Sequence, residues 1–124
     1  MPQCILVVDD HEPIRKLVRA SLESEGGFSV YGEAVDGYDA IDKAQELKPD
    51  LIILDLAMPR MNGMHAASKI KRVLPNTSII LLTSHQAALG NFNLQAAGID
   101  AVIAKGTEMS VLNNSVRNLL RAAN

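Results

Sequence analysis

The chain has 124 residues, 48% hydrophobic, 21% charged and 3% aromatic, and 12 Lys and Arg against 14 Asp and Glu leave a formal charge of −2. That length fits a single domain spanning 1–124, with a core that needs no disulfide or metal staple. The near-neutral balance, without any Lys/Arg block, argues against a nucleic-acid coat, and the lone Cys4 argues against a disulfide framework and fits a reducing, cytoplasmic compartment.

The first apolar run, Ile5-Leu6-Val7-Val8, is continuous and ends on Asp9 and Asp10. It is too short for a signal peptide, and no stretch approaches the roughly 20 apolar residues of a membrane span. Ile14, Leu17, Val18 and Leu22 then recur at helical spacing, with Pro13 in the first turn. Residues 28–34 read as a weaker strand. Ser29 and Glu33 interrupt it and Gly32 loosens it, which suits the edge of a sheet.

Ala40, Ala44 and Leu47 mark a second helix, closed by Pro49. Leu51-Ile52-Ile53-Leu54 is the next strand, followed by Asp55. A third helix carries Ala66, Ala67, Ile70 and Leu74, entered through Asn62-Gly63 and stopped by Pro75. Ile79-Ile80-Leu81-Leu82 runs into Thr83-Ser84. Residues 86–97 give the weakest helical pattern, since Gly90 and two Asn are poor helix formers. Ala101-Val102-Ile103-Ala104 precedes Lys105, and Leu112, Val116, Leu119 and Leu120 mark a fifth helix. Continuous short apolar runs imply strands covered on both faces, so the pattern predicts a (βα)5 fold of the α/β class, an open doubly wound parallel sheet.

The polar residues just past the strands carry the chemistry. Asp9 and Asp10, Asp55, Thr83 and Lys105 each stand just after an apolar run, and in open α/β sheets ligands bind outside the carboxyl ends of the strands. Three carboxylates at one rim repel each other and call for a cation; hard oxygen ligands suit Mg²⁺. Each residue alone has a plainer role: Asp10 as a helix cap, Thr83 satisfying local backbone, Lys105 solvated. Their joint placement is what argues for a site. His11 and His65 read as surface residues, His85 as a group that tunes water access near Thr83, and Cys4 as a small strand hydrophobe. Lys69, Lys71 and Arg72 read as a solvated basic face.

Val7-Val8-Asp9-Asp10, the string Asp55-Leu56-Ala57-Met58-Pro59 with Gly63, Leu81-Leu82-Thr83 and the stretch from Asp100 to Lys105 together resemble the receiver domain of two-component response regulators. The resemblance covers essentially the whole chain. Val8-Asp9-Asp10-His11 with Pro13 is similar to receivers attached to LuxR-type helix-turn-helix domains. The resemblance implies a flavodoxin-like sheet of strand order 2-1-3-4-5. It implies Asp55 as phospho-acceptor from a sensor histidine kinase or phosphotransfer protein, with Lys105 and Thr83 binding the phosphoryl oxygens. Asp10 and Asp55 would hold Mg²⁺ directly, Asp9 through water, and the Ala57 backbone carbonyl would complete the set. Such a chain is a switch that assists its own phosphoryl transfer and is not a turnover enzyme; it can pair as a homodimer when phosphorylated, and it binds neither DNA nor membrane by itself.

Two positions depart from the family pattern. Val102 stands where many receivers carry an aromatic that reports the threonine's movement, and Gly106 follows the lysine where many have a cis-proline. No Asp or Glu lies between Leu56 and Ile99, so the helix at 86–97, with Leu89, Phe92 and Leu94, is expected to respond most to phosphorylation, together with the fifth strand and fifth helix. Three other readings compete. A Mg²⁺-dependent aspartyl phosphatase needs a second acid where Ala57 stands. A receiver that never accepts phosphate tends to lack one of the key residues, and a flavin binder lacks a stacking aromatic here.

Overall fold

Successive residues of a strand point to opposite faces of its sheet, and here both faces are dry. The chain is described by a computed structural model, which covers residues 3–84 and 93–123. Five parallel strands, β1 (Gln3–Val8), β2 (Phe28–Ala34), β3 (Leu51–Asp55), β4 (Ser78–Thr83) and β5 (Ala101–Ala104), lie in the order β2-β1-β3-β4-β5. Leu6, Val8, Ile52, Leu54, Ile79 and Leu81 pack on one face against α2 (Gly37–Leu47) and α3 (Gly63–Val73). Ile5, Val7, Leu51, Ile53, Ile80 and Leu82 pack on the other against α1 (Glu12–Ser24) and α4 (Met109–Ala123). Burial on both sides is why these strands are written without polar alternation. The expected α/β fold and strand order are both observed, with β2 at the edge.

Local detail departs from the expectation in four places. Leu17 is 52% exposed: α1 turns Val18 and Leu22 inward with Ile14 half-buried, and position 17 lies off that stripe. In β2 the pairing with β1 steps from Val30 to Gly32, so Tyr31 is bulged out and exposed. Gly32 then does more than loosen an edge, because a side chain there would run into Leu47. Finally, the fourth helical pattern falls largely outside the described residues, Leu89, Phe92, Gly90 and His85 among them. Its described remainder is a turn in which Ala97 N–H donates to Asn93 O (3.1 Å) and Gly98 adopts a φ of +86°. α4 is therefore the helix counted fifth in the sequence pattern.

The helix starts are chemically ordinary. Asn62 caps α3 by accepting the His65 N–H (3.0 Å), and Asp36 caps α2 by accepting the Asp39 N–H (2.8 Å). At α1 the cap position is His11 with no side-chain cap bond, so Asp10 is not held there as a capping residue.

Candidate functional site

Parallel register brings the polar strand ends together. Val8 of β1 pairs with Leu54 of β3, so Asp9 and Asp55 are the next residues on neighbouring strands. Asp55 in turn pairs with Leu82, one step before Thr83, and Thr83 pairs with Ala104, one step before Lys105. A backbone bond from Lys105 N–H to Thr83 O (2.8 Å) extends this last pair past the strand end. The rim is thus a short arc of Asp9, Asp55, Thr83 and Lys105.

Lys105 spans the two buried acids. Its Nζ lies 2.9 Å from Asp9 Oδ2 and 3.1 Å from Asp55 Oδ1, while the Asp9 and Asp55 side chains are only 2% and 4% exposed. Burial pushes the Asp55 carboxyl above its ordinary value, and repulsion from Asp9 adds to that; the Lys105 ammonium and the Ala57 N–H pull it back only in part. Lys105 moves the same way for the opposite reason. Burial lowers it, but its close pairing with Asp9 and Asp55 more than offsets this and leaves it above its ordinary value. The ammonium therefore stays charged at neutral pH.

Asp10 and His11 form the outer lip. Asp10's side chain is 30% exposed, and the His11 ring, 67% exposed, places Nδ1 3.2 Å from Asp10 Oδ1 and 3.3 Å from Asp9 Oδ1. His11 N–H also donates to Asp9 Oδ1 (2.9 Å). The sequence pattern put His11 at the surface; the structure puts it at the surface and against both acids.

The loop after β3 is shaped by Gly63. Its N–H donates to Leu56 O (2.8 Å), and any Cβ would collide with the Asp55 carbonyl oxygen, so the Gly of the Asp55…Gly63 string lets α3 begin directly behind Asp55. In the same loop Ala57 is exposed and Met58 half-buried, and Arg60, at a φ of +69°, pairs with the buried Asp36 cap of α2. On the far side, Gly106 takes a φ of +90°, a left-handed conformation that glycine adopts freely. Val102 is half-buried and packs on the α2–α3 face of the sheet.

A divalent cation fits these residues. Two buried carboxylates share one ammonium with Asp10 beside them, and among the described residues Asp9 Oδ2 is buried without a hydrogen bond, Lys105 pairing with it by charge at 2.9 Å. A hydrated cation satisfies such an oxygen through one of its bound waters. Asp9, Asp10 and His11 can each offer a ligand atom with all three within 4.8 Å of one another. The all-oxygen acids match a hard ion that keeps part of its water, as Mg²⁺ does.

An open sheet ordered 2-1-3-4-5 with acids and a lysine at its carboxyl rim defines a class, and the comparisons agree with it. Residues 5–117 match the response regulator receiver domain model, and the chain belongs to that family. It is 39% identical over 117 residues to the response regulator protein VraR of Staphylococcus saprophyticus, covering 94% of this chain and 56% of that protein. It is 40% identical over 113 residues to VraR of Staphylococcus epidermidis, covering 91% and 54%. The chain thus spans about half the length of these curated relatives. Among solved structures, a LuxR-family two-component response regulator from Aurantimonas sp. SI85-9A1 superposes with a TM-score of 0.91 at 26% identity, covering 98% of this chain and 87% of that one. The response regulator domain of Thermotoga maritima CheB gives 0.83 at 29%, covering 99% and 96%. Among the described residues no helix is long and apolar enough to cross a membrane.

Arg15 is a polar neighbour of the site that the sequence pattern did not single out, and its partner Glu33 reads there only as a break in the edge strand. An arginine on a helix reads as solvated until its neighbour across the sheet is known.

Proposed function

We propose that the chain is a single receiver domain whose Asp55 accepts a phosphoryl group from a phosphohistidine of a cytoplasmic sensor kinase or phosphotransfer protein. The observation that carries this is the half-buried ammonium of Lys105 held between the buried Asp9 and Asp55 at 2.9 and 3.1 Å. Asp55 is the nucleophile: a carboxylate oxygen bonds to phosphorus as the phosphorus–nitrogen bond breaks and the imidazole leaves with its electron pair. Lys105 is already in contact with the acceptor and pairs with the incoming phosphoryl oxygens, while Thr83, buried on the neighbouring strand end, offers its hydroxyl to another. Asp10 and Asp55 would hold Mg²⁺, with Asp9 through water and the Ala57 carbonyl, and the ion would neutralise charge on the transferring group.

The acyl phosphate adds about 1.5 to 2 negative charges at Asp55. That rearranges what Lys105 and Thr83 bind, and the fifth strand and α4 beyond them carry the change to an output partner, as a homodimer or an attached domain. The chain assists its own transfer and hydrolysis without turning over a separate substrate.

The test is intact mass after incubation with acetyl phosphate. One added phosphoryl group is expected, absent when Mg²⁺ is chelated and absent in Asp55→Asn. A phosphoryl group that persists in Asp55→Asn overturns the assignment of the acceptor.

A further inference from the structure

Asp9 is tied at both ends of its backbone to the edge strand. Its N–H donates to Ala34 O (3.1 Å). Its carbonyl accepts from Arg15 Nη1 (2.7 Å), and Arg15 Nε donates to Glu33 Oε1 (2.9 Å). Glu33 is itself anchored, because its other oxygen accepts from Arg19 Nη1 (2.8 Å), Arg19 Nη2 donates to Val30 O (3.1 Å), and the Glu33 carbonyl accepts from Lys43 Nζ. Arg15's side chain is 13% exposed, far from a freely solvated arginine. A residue of α1 and a residue of β2 are spent on one carbonyl in the acid-pair turn.

That carbonyl matters because a peptide unit is planar. Fixing the Asp9 C=O fixes the Asp9–Asp10 peptide and therefore where the Asp10 side chain begins. Asp10 has little else to hold it: among the described residues its ion pair is with the exposed His11 ring. The pairing with Glu33 also has an electrostatic purpose. A bare guanidinium beside the turn would repel an incoming cation, whereas one neutralised by Glu33 orients the peptide with little opposing field.

We propose that Arg15, held by Glu33, is a positioning residue that presets the Asp9–Asp10 turn and thereby sets the divalent-cation affinity of the site. The proposal rests on the reading of the acidic rim as a cation site. Groups one shell outside a metal site usually change its affinity by about 10- to 100-fold when removed. Arg15→Gln, which breaks the fork, is expected to weaken Mg²⁺ binding roughly tenfold. Glu33→Gln, which keeps one acceptor for Arg15 but uncovers its charge, is expected to weaken it by less.

The experiment titrates Mg²⁺ by calorimetry into wild type and both variants, with Mn²⁺ followed by electron paramagnetic resonance as a second probe. In parallel, phosphorylation by acetyl phosphate is measured across Mg²⁺ concentrations. The proposal expects the half-saturating Mg²⁺ to rise about tenfold in Arg15→Gln while the rate at saturating Mg²⁺ stays within about twofold. A merely structural role lowers the maximal rate and the melting temperature and leaves the affinity of the folded protein unchanged; that result overturns it. Should Arg15→Gln fail to fold, Glu33→Gln decides, and an unchanged dissociation constant there overturns it too. Wild type that binds neither ion overturns the cation-site reading itself, and the proposal falls with it.

Discussion

At Asp55 the same features that favour chemistry cost stability. Burial and the neighbouring Asp9 carboxylate hold its pKa above the ordinary value of 3.8, and Lys105 offsets only part of this. A carboxyl whose folded pKa is raised loses stability as pH climbs from the ordinary value through the folded one, because its ionised form is the less welcome one in the fold. Asp55→Asn removes the charge at constant shape. In chelator at pH 7 it is expected to melt a few degrees above wild type, since about 1 kcal/mol moves the melting point of a domain this size by roughly 3–5 °C. The gap should close below about pH 4, where wild-type Asp55 is also neutral in the unfolded chain. A variant that melts below wild type at pH 7 contradicts the account. Asp9, Asp55, Thr83 and Lys105 were legible in the sequence because a charged or hydroxyl residue right after an unbroken apolar run has one place to be, the rim of a sheet. Arg15 was not legible, since nothing in a helical stripe of Ile14, Val18 and Leu22 says that an arginine head reaches a backbone carbonyl.

Among the elements, α2 begins on a cap that also fastens the loop after β3. Asp36 accepts the Asp39 N–H and pairs with Arg60 of the loop after β3. The Asp39 hydrogen bond is the main reason that its pKa lies below the ordinary 3.8; burial works against this, and Arg60 works with it. Here the sign is opposite to that of Asp55. A depressed pKa gives stability that is complete above the unfolded value and is lost as pH falls through the folded one. Asp36→Ala should cost about 1 kcal/mol at pH 7 as a lost cap, a fall of roughly 3–5 °C, with the deficit shrinking as melts are taken below about pH 4. A deficit that is constant from pH 7 to the acid limb rules out the carboxylate as its source. The pattern of apolar runs located five strands and the helices around them, and Asn62 announced the start of α3. Asp36 passed unnoticed because the Val35-Asp36-Gly37 turn has no periodic signal. The Tyr31 bulge was equally invisible, since it shows only when β2 is laid beside β1.

For the molecule as a whole, the two buried layers make the sheet rigid and leave its carboxyl rim as the place where charge is unresolved. Lys105 is the cation that the fold itself supplies to Asp9 and Asp55. Lys105→Met removes it and leaves two nearly buried carboxylates side by side. Breaking one half of a buried ion pair commonly costs about 3–5 kcal/mol, so the variant in chelator should melt roughly 10–25 °C below wild type. A ligand that binds only the folded state stabilises it in proportion to its occupancy. In wild type Mg²⁺ must share the acids with the ammonium; in Lys105→Met it meets them alone. Millimolar Mg²⁺ should therefore raise the melting temperature of Lys105→Met by more than it raises that of wild type, recovering part of the loss. Thermal melts of both proteins with chelator and with Mg²⁺ make the comparison directly. Equal shifts in the two proteins mean that the ion does not compete with Lys105, and no shift in either means that the buried acids do not hold it.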